Sequence, residues 1–354
     1  MSDITLLSPG RIGGMETRNR MIMSPMTRSR ALKGGVPSEL AIEYYTQRAS
    51  AGLILSEGTA PSAVGLGYAR SPAIESTEQI AAWKKITDAV HAKGGKMFCQ
   101  LMHVGRIGHD ANRYTTEPLV APSAIKAAGQ IWTDEQGMQD HPVPHALSTS
   151  EVVKVIEDFA QATRNAMAAG FDGVEYHCAS GYLPMQFLST NVNQRTDQYG
   201  GSVNNRIRFV MESLDAMVKA AGSPLKVGIK IAPSMPFNDV QDTDPTATYT
   251  TLVKALAPLG LGYLHVLQTV VPGTWEMLRP HYSGTYAIVG GLTQATGEAA
   301  LKSGLADFCV YGKLFIANPD LPARFEKGAE LNAWDATTFY SPGPKGYTDI
   351  PAMA

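Results

Sequence analysis

The residues best suited to chemistry cluster in one stretch, residues 171–206. A strand-like run, GVEY, leads into His177, and Ser180, Gly181 and Tyr182 follow closely. Polar groups gathered at the carboxyl end of a strand are what a site in a parallel α/β protein looks like. At period 2, Glu175 and His177 share one face and Tyr176 takes the other. His177 then sits at the mouth of whatever the strand builds. A second group is Gly290–Gly291 with Gly312–Lys313. Backbone N–H groups at glycine turns approach anions closely, and Lys313 adds a cation, so this group points to a phosphate. Lys230, inside the apolar run VGIKIAP, is a third candidate. Each has a plainer alternative. A lone His on an apolar strand is often a satisfied core residue, a Gly-Gly pair can be only a turn, and Lys230 can be a paired core lysine.

Positioning these residues takes strands. Apolar runs at residues 18–26, 52–60, 96–103, 173–176, 225–231, 262–267, 285–291 and 307–313 read as eight of them. Helical periods separate several. One begins at Ser76 with Gln79 as its capping box, carries Ile80, Trp83 and Val90 on one side, and stops at Gly94. Another opens near Ser148 with Glu151, buries Val152, Val155, Ile156 and Phe159, and ends at Gly170. Further helices are expected near Asn205, over residues 249–256, and in the short stretch rich in Ala and Gly before the eighth strand. Strands alternating with helices imply a parallel sheet, and eight such units close into a (β/α)8 TIM barrel. A doubly wound open sheet is the alternative, but no G-x-G-x-x-G follows the first strand. The expected architecture is α/β, a single domain over residues 1–354. It carries a β-hairpin at 1–18, a long excursion at 104–147 after the third strand, and a tail at 332–354.

In a barrel the carboxyl ends of all strands share one face. That face would gather Pro25, Met26 and Thr27, then Glu57 and Gly58, then Gln100 and His103. Beside them come His177, Ser180 and Tyr182, then Lys230, Gly290, Gly291, Gly312 and Lys313. Barrels often bind phosphate after strands seven and eight, where both glycine turns fall.

Residues 171–206 resemble the old yellow enzyme family of FMN-dependent ene-reductases. In that family a His is followed three residues on by His or Asn, and two further on by Tyr. His177, Ser180 and Tyr182 hold these places here. The run NQRTDQYGGSVNNR, residues 193–206, is similar to the family's most recognisable segment, and the resemblance extends from Ser8 to Pro351. It implies non-covalent FMN, with Gly290, Gly291, Gly312 and Lys313 at its phosphate. Pro25, Met26, Thr27, Gly58 and Gln100 would line the isoalloxazine ring, and Lys230 would sit beside N1 and the C2 carbonyl. It also implies NADPH or NADH as reductant and an activated alkene as substrate. His177 would bind the substrate carbonyl, Tyr182 would protonate the α-carbon, and Tyr68, Met102 and Tyr340 would border the substrate.

The chain departs from the family pattern at four places. Ser180 replaces the longer second donor, Met102 stands where Trp is common, and Lys230 and Lys313 stand where Arg is usual. Two other functions stay open: a flavoprotein acting mainly as an NADPH oxidase, and a barrel isomerase or lyase on a phosphorylated substrate.

Composition narrows the field. An apolar fraction of 44% with 18% charged residues describes an ordinary globular protein. A formal net charge of −2 gives no reason to expect a nucleic-acid partner or an anionic membrane surface. No apolar run reaches the ~20 residues of a membrane span, and MSDITLLSPGR lacks the pattern of a secretory signal. Three cysteines, Cys99, Cys178 and Cys309, suit a reducing compartment, so a cytoplasmic protein is expected, as monomer or homodimer. His141 and His145 are four apart, but Pro142 and Pro144 forbid the helix that would pair them on a metal.

Overall fold

The computed structural model describes residues 4–269 and 272–353. Residues 1–3 and 354, the outer ends of the expected hairpin and tail segments, lie outside the described residues. Eight parallel strands close on themselves. They are β1 (Met21–Met23), β2 (Leu53–Leu55), β3 (Met97–Leu101), β4 (Gly173–Cys178), β5 (Val227–Ile231), β6 (Tyr263–Leu267), β7 (Tyr286–Val289) and β8 (Phe308–Tyr311). Closure comes from β8 pairing with β1, with Cys309 opposite Met21. Most strand residues are buried on both faces, which explains why the strands read as continuous apolar runs rather than alternating ones.

The inside of the barrel divides into an apolar floor and a polar mouth. Ile22, Leu53, Leu55, Phe98, Tyr263, Phe308 and Val310 fill the floor. Glycines make room for the large rings: a Cβ on Gly173 would lie 2.4 Å from Phe98, and one on Gly228 would lie 2.3 Å from Tyr263. The amino-terminal hairpin pairs Gly10–Ile12 with Met15–Thr17 and adds Ile12 to this floor. Its turn uses Gly13 and Gly14 at φ +57° and +76°, a conformation that a tight hairpin needs and glycine adopts freely.

Outside the barrel lie the helices that the sequence announces most clearly. They are preceded by a shorter helix, α1 (Leu40–Gln47). Capping boxes at Ser76–Gln79 and Ser148–Glu151 open α2 (Thr77–Ala92) and α3 (Thr149–Ala168). After α4 (Leu183–Leu188), α5 (Val203–Ala221) starts two residues before the expected Asn205, because Ser202 is its cap. Next, α6 (Pro245–Leu256) starts at Pro245 rather than 249, capped by Asp244 with proline in the first turn. Neither α1 nor α4 was expected, and neither has a side-chain cap to mark its start. The 104–147 excursion has no sustained helix, as expected, only a 3-10 turn at Asp110–Asn112, and holds a small hairpin of Gln130–Thr133 against Gly137–Asp140.

The tail is packed against the barrel rather than loose. Arg28 and Arg30 are buried and donate to the carbonyls of Thr338, Phe339, Gly343, Lys345 and Gly346. Glu57 belongs to this anchor and not to the barrel mouth: its carboxylate accepts the Arg28 backbone N–H at 3.2 Å. Burial pushes its pKa up to about 7, against the pull of Arg28. A buried acid with a raised folded pKa destabilises the fold progressively as pH rises from its unfolded value towards the folded one. Glu57→Gln should therefore gain up to about 3 kcal/mol relative to wild type at pH 8 and almost nothing near pH 4. Chemical unfolding at both pH values checks this; a difference independent of pH would contradict it.

Candidate active site

Register sets the polar mouth. His177 on β4 lies beside Lys230 on β5, which lies beside His265 on β6. Glu175, two residues earlier on β4, pairs with Gln100 on β3. All five side chains are buried. The Glu175 carboxylate accepts from Gln100 Nε2 at 2.8 Å and lies 2.8 Å from His265 Nδ1. Burial alone would raise the Glu175 carboxyl. His265, Lys230 and Gln100 together outweigh it and hold the group below its ordinary value. Burial lowers Lys230, opposed by Glu175. His177 is pushed well below its ordinary value by burial, then by Lys230 and His265, so the ring is neutral at neutral pH.

Several polar groups here lack hydrogen-bond partners among the described residues, His265 Nε2 among them. His177 Nδ1 is buried without a hydrogen bond, and Lys230 makes no hydrogen bond or ion pair among the described residues. Buried donors and charges are costly unless a partner satisfies them. A buried ammonium at a barrel mouth, offset in part by Glu175, fits a bound group that carries or gains negative charge.

Above β4 the chain turns sharply. Ser180 and Gly181 take φ +57° and +74° and swing the backbone into α4, with Tyr182 at its N-cap. Gln186 fixes this turn, donating to the carbonyls of Gly181 and Val104. The Tyr182 ring stands edge-on to His177, centroids 4.9 Å apart at 90°. Its hydroxyl donates to the Tyr68 hydroxyl at 3.2 Å. Burial pushes the Tyr182 phenol well above its ordinary pKa, and Tyr68 adds to that. The Ser180 hydroxyl makes no hydrogen bond among the described residues, while its carbonyl accepts from Asn238 Nδ2 at 2.8 Å.

Two cavities open at the carboxyl ends of the strands. One, of about 840 Å³, is bordered by Thr27, Tyr68, Tyr182 and Tyr340. The other, of about 790 Å³, is bordered by Gly290, Gly291, Gly312 and Lys313. Gly290 must be glycine: a Cβ there would lie 2.5 Å from the Gln268 Cβ. The Lys313 ammonium lies 5.5 Å from the centroid of the Trp334 ring. Pro25 and Met26 follow β1, and Met26 touches Gly312. Met102 lies against Gly58, in an apolar cluster with Tyr68 and Tyr182, and not on the wall of either cavity. Tyr340 is 61% exposed, on the outer rim. His103 turns away from the mouth towards Phe159 on α3.

Several bordering residues were not read from the sequence. Phe237 and Asn238 come from the loop after β5, and Trp132 and Met138 from the excursion hairpin. Arg70 donates to the carbonyls of Ser29 and Tyr340 and pairs with Asp134, so it ties three segments at the rim. The strand-end rule could have found Phe237 and Asn238, since they follow β5 directly; Arg70 and the hairpin had no local signal. Among the described residues, no group of His, Cys, Asp and Glu could hold a metal ion, and no helix is long and apolar enough to cross a membrane.

The closed parallel barrel thus carries, at its strand ends, glycine turns around one cavity and a neutral His beside a buried Tyr at another. Residues 5–332 match the NADH:flavin oxidoreductase / NADH oxidase family. The chain is 41% identical to 12-oxophytodienoate reductase 7 of Oryza sativa subsp. japonica, over 98% of this chain and 94% of that protein. It is likewise 41% identical to a probable flavin mononucleotide-dependent alkene reductase of Leishmania infantum, over 98% of this chain and 97% of that protein. Among solved structures, morphinone reductase superposes with a TM-score of 0.95 at 41% identity, covering 99% of this chain and 97% of that one. The chain belongs to the FMN-dependent old yellow enzyme family.

Proposed function

We propose that this protein is an FMN-dependent ene-reductase. It takes hydride from NADPH or NADH and reduces the C=C bond of α,β-unsaturated carbonyl or nitro compounds. The observation that carries the reading is the pairing of neutral His177 with protonated Tyr182 beside a large cavity, with the buried Lys230 on the neighbouring strand. Gly290, Gly291, Gly312 and Lys313 would hold the FMN phosphate. Pro25, Met26, Thr27, Gly58 and Gln100 would line the ring, and Lys230 would face its N1 and C2 carbonyl. Bound FMN would supply the hydride for the alkene β-carbon.

The protein residues handle the rest. His177 donates a hydrogen bond to the substrate oxygen, where enolate charge develops. Tyr182 delivers a proton to the α-carbon. Tyr68 and Tyr340 border the substrate, and Met102 supports the tyrosine pair from behind. A reducing, cytoplasmic setting fits the three unpaired, buried cysteines. Purified protein should be yellow and release FMN on heating, identified by mass, and should reduce 2-cyclohexenone with NADPH or NADH. Colourless protein that cannot be reconstituted with FMN would sink the reading.

Ser180 is the specific weakness of this site. Its side chain is shorter than the Asn or His it replaces, and Ser in a left-handed conformation is less favoured than Asn. Ser180→Asn should raise kcat/KM for simple cyclic enones and tighten the binding of phenols that mimic the enolate. The gain should stay below the about 2.7–4 kcal/mol of a full missing donor, since Ser180 and water supply part of it. Phenol titration followed by flavin absorbance, beside enone kinetics, checks this. A fall in both would mean that Ser180 serves a substrate the two-donor pocket excludes.

A further inference from the structure

We propose that the acid of this site is the pair Tyr182–Tyr68, with negative charge coming to rest on Tyr68, and that Asn238 is the positioning residue that makes this so. The inference rests on the reading of Tyr182 as proton donor.

The Asn238 amide has one assignable orientation. Its nitrogen lies 2.8 Å from the Ser180 carbonyl, which can only accept. With one N–H spent there, the second points to the Tyr68 oxygen at 3.4 Å. Tyr182 donates to the same oxygen at 3.2 Å. Two donors therefore converge on Tyr68, whereas among the described residues the Tyr182 hydroxyl meets only Tyr68. A phenolate on Tyr68 is held by two hydrogen bonds, and one on Tyr182 by a single one. Burial raises both phenols, but Tyr182 and Asn238 draw Tyr68 back down. Both tyrosines border the cavity, and Tyr68 is half-buried where Tyr182 is buried, so Tyr68 is the more exposed of the pair.

Asn238 is fixed for this task. It sits at φ +60°, and its carbonyl and that of Asp239 accept from the buried Arg106 guanidinium at 3.5 and 2.6 Å. Arg106 also binds the carbonyls of Ile125 and Lys126, so the loop after β5 is stapled to the excursion.

The sequence of bonds is as follows. Hydride addition leaves an electron pair on the α-carbon; the Tyr182 O–H breaks and its proton takes that pair. Tyr68 turns its O–H to the Tyr182 oxygen and the proton crosses. The charge then rests on Tyr68, between the restored Tyr182 O–H and the Asn238 N–H, until a cavity water returns a proton.

A double-mutant cycle on the FMN-loaded enzyme tests this, read as the limiting rate of reoxidation by 2-cyclohexenone. Glycine tolerates the backbone of position 238, so Asn238→Gly deletes the donor without strain. Asn238→Gly should slow reoxidation about 10-fold while the enone Kd moves less than about 2-fold. Tyr68→Phe should slow it at least as much. In the Tyr68→Phe background, Asn238→Gly should add almost nothing. Incorporating 3-fluorotyrosine, a more acidic phenol, at position 68 should restore rate to the Asn238→Gly enzyme. Equal cost of Asn238→Gly in both backgrounds, or no rescue, would overturn the role of Asn238. A wild-type rate for Tyr68→Phe beside a slow Tyr182→Phe would overturn the relay alone, whereas a wild-type rate for Tyr182→Phe would remove the underlying reading as well.

Discussion

Replacing Tyr182 by phenylalanine should slow enone reduction by roughly 10²–10⁴-fold, the usual worth of a positioned general acid. The fold should not suffer, because the ring packs edge-on to His177 and, among the described residues, the hydroxyl has only Tyr68 as a partner. Flavin reduction by NADPH should change little, since no proton from Tyr182 is needed there. The direction of the pKa shift adds a second expectation. Burial holds the Tyr182 phenol well above its ordinary value, so it stays protonated throughout the neutral range. The wild-type rate of alkene reduction should then show no loss of the acid below about pH 10. Rapid-mixing kinetics of each half-reaction separate these effects. Unchanged enone turnover in the variant would mean that solvent or another group supplies the proton.

Lys230→Met should weaken FMN binding about 10–100-fold and lower the flavin reduction potential by about 30–60 mV. A charge-assisted hydrogen bond is worth about 1.5–3 kcal/mol, and for a two-electron couple 30 mV corresponds to about 1.4 kcal/mol. The ammonium is buried, and Glu175 is the carboxylate that offsets its burial. Glu175 is already engaged by Gln100 and His265, which leaves the Lys230 charge available to an anionic partner. The apoprotein of the variant should change little in stability, because the lost attraction between Lys230 and Glu175 is offset by the desolvation cost that an apolar chain of similar length avoids. Redox titration against a reference dye and FMN titration of the apoprotein measure both effects. An unaltered potential in a fully loaded variant would remove Lys230 from the flavin site.

The barrel was legible because its signals are local. Apolar strand runs, the Ser76–Gln79 and Ser148–Glu151 capping boxes and the Gly13–Gly14 turn each act within a few residues. Starts of α5 and α6 were misplaced by two to four residues, where Ser202 and Asp244 act as caps ahead of the apolar period. The strand-end rule gathers residues by position along the strands and does not tell inward from outward. Glu57 and His103 turn into the tail anchor and towards α3, whereas Gln100, His177 and Lys230 turn inward. What stayed hidden is long-range. Arg70 joins Ser29, Tyr340 and Asp134, and Arg106 joins residues 125–126 to 238–239. No periodicity in the sequence records contacts between segments so far apart. The Asn238–Tyr68–Tyr182 chain is of the same kind, drawn from three separate loops.

The central claim is that hydride reaches the β-carbon of an alkene by way of FMN and that the α-carbon receives a proton exchangeable with solvent. Isotope tracing in one product tests it most directly. The purified enzyme would be supplied with 4-deuterated NADPH, each face in turn, and 2-cyclohexenone in ordinary water, and then with unlabelled NADPH in D₂O. One deuterated face should place deuterium on the β-carbon of cyclohexanone, and the D₂O reaction should place it on the α-carbon. Product without label from either nicotinamide face, or NADPH consumption with oxygen as the only acceptor, would contradict the assignment.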